Sequence, residues 1–140
     1  MQARRGELVD VLEGGAGAGL VALIEGRLVG LVTWLGDPRA RRAEVRALAV
    51  DDAARGHGVG RRLLAAAEDA LRNAGVRTAW LVTTNDNLAA LTLYQKAGWR
   101  LAALRPGALD DLRRTIKPSI PETGANGIPL RDELELGKTL

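Results

Sequence analysis

Eight consecutive residues of this chain have the composition of a phosphate cradle. Arg55-Gly56-His57-Gly58-Val59-Gly60-Arg61-Arg62 combines three glycines, three arginines and the only histidine. Glycines let backbone N–H groups come close to a ligand, and a helix starting at such a turn adds partial positive charge. The ligand this suits is a phosphate or pyrophosphate. The plainer reading is a tight turn whose glycines serve backbone geometry alone. A dinucleotide fingerprint would need glycine where Arg61 stands, and a Walker A loop would need Lys-Ser/Thr where Arg61-Arg62 stands. Neither fits. Cysteine is absent, which removes disulfides, thiolate zinc sites and any acyl-cysteine intermediate. With one histidine (His57) and one serine (Ser119), a Ser-His-Asp triad would have to use both, and a histidine-rich metal site is not available. No metal is expected.

The 140 residues, 46% hydrophobic and 26% charged, suffice for one domain with a core, and residues 1–140 are read as a single domain. No apolar run approaches the roughly 20 residues of a membrane helix, and Met1–Gly6 leads into mixed polarity without a secretory pattern. A cytoplasmic protein without membrane partners is expected. The net charge of +3 raises nucleic acid, but no Phe, one Tyr and three Trp make a poor stacking platform, so none is expected as partner.

Around the turn, the periodicity sets out strands and helices. After the glycine-rich stretch Glu13–Gly19, Leu20–Ile24 and Leu28–Leu35 flank Glu25-Gly26-Arg27 and read as a hairpin. Gly36-Asp37-Pro38 is a further turn. In the next strand, 43–50, Val45, Ala47 and Ala49 alternate with Glu44, Arg46 and Leu48. Val59, Leu63, Leu64, Ala67, Ala70 and Leu71 then share a helical stripe, with Arg61, Arg62, Glu68, Asp69 and Arg72 mostly off it and Gly75 past its end. Strand 78–84 completes a β-α-β unit, so it should run parallel to 43–50. A helix over 88–97 starts at Asn85, Asp86 or Asn87 and stops at Gly98; Trp99–Leu104 returns as a strand and Pro129–Leu136 reads as the last one. Residues 105–128 are too long for a hairpin turn, with a short helix at 108–116; segments of this length are often lids. An α+β domain with a mixed sheet results.

Two stretches of this pattern resemble the GNAT family of N-acetyltransferases. Arg55-x-x-Gly58-x-Gly60 fits that family's R/Q-x-x-G-x-G/A motif, five residues beyond Val50. Asn87-x-x-Ala90-x-x-x-Tyr94-x-Lys96-x-Gly98-Trp99 is similar to its N-x-x-A-x-x-x-Y-x-K-x-G-F, with Trp in place of Phe. The likeness covers residues 20–104. It implies a splayed mixed β-sheet flanked by helices, open between strands 43–50 and 78–84, with acetyl-CoA as co-substrate in the gap. The amides of Gly56, His57, Gly58, Val59, Gly60 and Arg61 would then bind the pyrophosphate, with Arg55 near it. Backbone groups of Leu48, Ala49 and Val50 would pair with the pantetheine arm like an added strand, and Asn87 would contact it. Tyr94 would be the acid that protonates the departing thiolate, and Glu44 a general base. The acceptor would be a small amine or a protein amine attacking directly in a ternary complex. A non-catalytic acyl-CoA-binding module is the alternative.

The chain departs from the family at its start. Fewer than 20 residues precede Leu20, room for one short element such as Glu7–Leu12, so an abbreviated N-terminal region is expected. The acceptor wall would then be reduced, or come from the 105–128 segment, with Asp110, Asp111 and Glu122 to attract a cation, or from a partner in a homodimer. Trp34 is either a core residue or part of that wall.

Overall fold

The structure is a computed structural model and describes residues 7–14, 17–37 and 39–140, with side chains from Ala18 onward. Met1–Gly6, Gly15, Ala16 and Pro38, which enter the leader, glycine-run and turn readings, lie outside the described residues. The chain condenses into two compact units, one running to Trp80 and including Thr139–Leu140, the other Leu81–Lys138.

In the first unit, β1 (Glu7–Gly14), β2 (Gly17–Ile24), β3 (Arg27–Asp37) and β4 (Arg42–Val50) pair in sequence order, all antiparallel. The short element expected from Glu7 is thus a full strand. A 3-10 turn (Asp52–Ala54) and α1 (Val59–Asn73) lead to the head of β5 (Thr78–Thr84). As the β-α-β reading requires, β4 and β5 are parallel, pairing at Arg42↔Thr78, Ala43↔Ala79 and Glu44↔Trp80. That ladder is three pairs long beside a nine-residue strand, the short pairing of a splayed sheet. Helix α1 lies against β2, β3 and β4, burying Val59, Leu63, Leu64, Ala67 and Leu71 over Leu20, Ala22, Val32 and Val45. Glu68 is buried too, contrary to the expected stripe, because it follows Leu64 by one helical turn and shares its face. Gly30 sets how closely the helix approaches. A Cβ there would meet the Ala49 carbonyl at 3.0 Å, Leu63 at 3.0 Å and Val59 at 3.2 Å.

One expectation for β4 is overturned. Thr33 pairs with Ala47 and Trp34 with Val45, so Arg46 is an extra residue, a β-bulge. A bulge shifts the alternation by one position, and the inward set becomes Ala43, Val45, Leu48 and Val50, with Ala47 and Ala49 exposed. Trp34, opposite Val45, is half-buried.

The second unit holds the remainder of β5, then α2 (Leu88–Lys96), β6 (Arg100–Arg105), α3 (Ala108–Thr115) and β7 (Glu133–Thr139) as far as Lys138. Strand β7 lies between β5 and β6, antiparallel to β6. Leu81, Trp99 and Leu136 are fully buried. The last strand begins four residues later than its alternation suggests and ends at Thr139. Pro129 has no N–H to give a ladder. The N–H groups of Arg131 and Asp132 donate instead to Asn85 Oδ1, at 3.1 and 3.0 Å, and that of Leu130 to the Glu122 carbonyl. Sheet pairing starts only where those donors are no longer engaged. The mixed α/β class expected from the sequence is the one observed.

Candidate active site

The glycine-rich turn owes its shape to two backbone conformations. Gly56 (φ 83°) and Gly58 (φ 76°) are left-handed, a region open to glycine without penalty, while a Cβ at either would meet nothing within 4 Å. Glycine is therefore required by backbone conformation and not by crowding. Gly58 is also the N-cap of α1 and offers no side chain to its first turn. The first amides of a helix have no intrahelical acceptor, so the start of α1 presents N–H donors and the positive end of the helix dipole. Upstream, Asp51 N–H donates to Val29 O (2.7 Å) and Ala54 N–H to Asp51 O (2.9 Å), fixing the 3-10 turn to the end of β4. Arg55 Nε lies 3.0 Å from Asp52 Oδ1, both side chains well exposed. Arg61 and His57 are exposed as well, and His57 lines a cavity of about 480 Å³ with Glu25, Arg27, Val29 and Asp51.

Leu48 and Val50 are half-buried and Ala49 exposed on the last turn of β4 before the 3-10 segment. At the other end of that strand, Glu44 closes the parallel ladder opposite Trp80, its carboxylate 3.6 Å from Arg46 Nη1 and 20% exposed. Trp80 in turn carries the Arg42 guanidinium 5.0 Å from its ring centre.

In the second unit, Asn87 is the N-cap of α2, its Oδ1 accepting from Ala90 N–H at 3.2 Å. Cap duty occupies the amide oxygen and leaves the Nδ2 donors for a ligand. Tyr94, two turns along, is buried, its ring 6.0 Å from that of Trp99 and inclined by 52°. Burial disfavours the phenolate and pushes the Tyr94 hydroxyl pKa up. Among the described residues this hydroxyl has no hydrogen-bond partner, yet it is not sealed from solvent. It is a phenol whose burial favours the protonated form.

The family profile for acetyltransferases of the GNAT type matches residues 3–99, most of the chain. The chain belongs to the acetyltransferase (GNAT) family. Acetyl transfer is the activity of this GNAT protein. It is 40% identical over 116 residues to the uncharacterized protein YxbD of Bacillus subtilis, spanning 83% of this chain and 70% of that one. Mycothiol acetyltransferase of Sanguibacter keddieii is 39% identical over 95 residues, 64% of this chain and 30% of its own length. Among solved structures, a Bacillus subtilis acetyltransferase in complex with CoA superposes with a TM-score of 0.82 at 22% identity, covering 97% of this chain and 99% of that one.

The GNAT fold accounts for how the sequence-identified residues are distributed. Glu44 and Leu48–Val50 lie on β4, Arg55–Gly58 in the turn after it and Val59–Arg61 at the start of α1, all in the first unit; Asn87 caps α2 and Tyr94 lies on it, in the second. Sequence reasoning did not single out Asn85 and Asp86 beyond naming them as alternative caps. Both engage the 125–132 stretch, some forty residues on, and their only sequence signal is a run of three polar residues before a helix. Two carboxylates expected to attract a cation, Asp110 and Asp111, are each paired with an arginine three residues on, Arg113 and Arg114. Among the described residues no helix is long and apolar enough to cross a membrane.

Proposed function

We propose that this chain works as a single acetyl-CoA-dependent N-acetyltransferase domain acting on a small amine or a protein amine in a ternary complex. The observation that carries this reading is the start of α1, where left-handed Gly56 and Gly58 open a helix whose first turn no side chain caps. The residues fit the co-substrate. Amides of Gly56–Arg61 would hold the pyrophosphate, Arg55 would add positive charge, and Leu48–Val50 with Asn87 would hold the pantetheine arm. When bound, acetyl-CoA supplies the activated acyl carbonyl: a C–N bond forms to the amine as the C–S bond breaks.

Two protons must move. A primary amine has a pKa near 10 in water and has to lose a proton to act as nucleophile. Glu44, half-buried on β4, is the base we assign to that proton. Tyr94 gives its phenolic proton to the departing sulfur and is reprotonated from solvent; burial keeps that proton in place until it is needed. Without cysteine in the chain no acyl-cysteine intermediate can form, which favours direct attack. Structures resembling this one include acetyltransferases holding CoA or acetyl-CoA, in accord with that donor. Calorimetric titration with acetyl-CoA, run beside CoA, NAD and ATP, tests the reading. Selective micromolar binding of both CoA species is expected, and no heat from folded protein would refute it.

A further inference from the structure

Two consecutive polar residues, Asn85 and Asp86, tie the junction of β5 and α2 to the chain that follows α3. Asn85 accepts from the N–H groups of Arg131 and Asp132 and donates through Nδ2 to Pro129 O at 2.8 Å. Asp86 is buried, and both carboxylate oxygens are used: Oδ1 accepts from the Thr84 hydroxyl at 2.5 Å and Oδ2 from Ala125 N–H at 2.7 Å. Its main-chain carbonyl accepts from Asn126 Nδ2 at 3.2 Å. Asn87, next in line, caps α2. The tied segment is itself held by Arg113, whose guanidinium donates to the carbonyls of Ile120 (2.9 Å), Pro121 (2.7 Å) and Leu130 (2.8 Å) and to Asp110 (2.8 Å). Gly124 completes the fit, since a Cβ there would overlap the Asp86 carboxylate.

We propose that Asp86 is a positioning residue for acetyl transfer, fixing the start of α2 against Ala125 and Asn126 so that Asn87 and Tyr94 are held in place. The inference rests on the roles assigned above to those two residues. A helix start can shift when its flanking turn is loose, and a displacement of about 1 Å at a reacting group costs up to ~100-fold in rate. Asp86 removes that freedom, because it is the residue before the cap and is bonded from both its side chain and its carbonyl. Burial alone would raise its pKa, but the hydrogen bonds from Thr84 and Ala125 outweigh this and hold the carboxyl below the usual carboxylate range. The brace is thus anionic at neutral pH.

Tyr94 is the only tyrosine in the chain, so its ionisation can be followed by near-ultraviolet difference absorbance without labelling. Asp86→Ala is expected to move that titration down toward the ordinary value near 10. It should also lower turnover of acetyl-CoA with a panel of primary amines by about 10-fold. Asp86→Asn should restore most of both, because an amide oxygen can still accept from Ala125 while its NH₂ donates to Thr84. Gly124→Ala in the native chain should imitate Asp86→Ala, yet add little to it, since the methyl then enters space the carboxylate has left. Should Asp86→Ala fail to fold, Gly124→Ala and Asp86→Asn carry the same comparison. An unchanged Tyr94 titration in a folded Asp86→Ala or Gly124→Ala variant would overturn the proposal. Failure of the acid reading shows separately, as a Tyr94→Phe enzyme with native turnover, whereas the titration judges Asp86 without reference to turnover.

Discussion

The two helix starts of this acetyltransferase are built on opposite plans. At α1, Gly58 occupies the cap position with no side chain and a left-handed backbone, leaving the first-turn amides to whatever anion arrives. At α2, Asn87 caps the first turn with its own oxygen, and Asn85 and Asp86 just before it bind the 125–132 backbone. One start is left without a side-chain cap and made from backbone conformation. The other is closed by side chains and made rigid. A helix N-terminus becomes a binding site only where the sequence withholds the residues that would satisfy it.

Substitutions can break this contrast from either side. The largest expected effect comes from the closed region. Tyr94→Phe keeps the ring against Trp99 and removes the proton, so kcat is expected to fall by roughly two to four orders of magnitude. Acetyl-CoA affinity by calorimetry should hardly change, and a kcat within about twofold of native would remove the acid role. Next is the open start. Gly58→Val places a β-branched residue in the left-handed region, costing about 1–2 kcal/mol of stability. The first side-chain carbon adds no clash, since a Cβ there meets nothing within 4 Å, and the variant's fold is checked by its thermal melt. Acetyl-CoA affinity, however, should drop on the order of 100-fold as the amides are turned from the phosphates. Retained affinity would mean that the turn is not the cradle.

The open start and the Asn87 cap were legible in the sequence and the brace beside that cap was not, for a physical reason. A left-handed turn is written locally, in glycine spacing, and so is the amphipathic stripe of α1. The brace at Asp86 is not local. Its partners stand about forty residues away, and nothing in Asn85-Asp86-Asn87 says which backbone groups they will meet. The same remoteness misplaced the start of β7, where Asn85 takes the N–H groups that alternation had assigned to a ladder. The bulge at Arg46 was hidden because Val45-Arg46-Ala47 alternates as well as any regular strand, and only the register with β3 reveals the extra residue. Glu44 and Tyr94 were singled out through family likeness, while the burial that raises the Tyr94 hydroxyl pKa needed the fold.

A moderate effect separates the two duties of Asn87. Asn87→Ala should cost about 1 kcal/mol of stability through the lost cap, read as a lower Tm, and also weaken acetyl-CoA binding. Asn87→Ser can still accept from Ala90 but has no amide donors, so it should recover the stability and not the affinity. Recovery of both would make Asn87 a structural cap only.

The Asp86 and Tyr94 ionisations give a further contrast, now in pH. Asp86 is depressed in the folded chain, so its contribution is present above the unfolded carboxyl pKa near 4 and is lost as pH falls through the folded value. Tyr94 is raised, so its contribution is present below about 10 and is lost as pH rises through the folded value. Urea denaturation from pH 2 to 7 should therefore show a shallower acid limb for Asp86→Asn than for the native chain. Superimposable limbs would mean that the carboxylate is not a net anchor.

The smallest effect lies at the rim of the open start. Arg55 and Asp52 form an ion pair at 3.0 Å, but both are so exposed that water and salt screen it. Arg55→Ala should leave stability within about 0.5 kcal/mol of native, since an exposed pair contributes little. Its charge matters more to a polyanion approaching the turn than to the fold. Acetyl-CoA affinity should weaken a few-fold at low ionic strength, and the difference from native should shrink as salt is added. If the loss persisted undiminished in high salt, Arg55 would be making a direct, desolvated contact, and the open start would owe its affinity to a side chain as well as to its backbone.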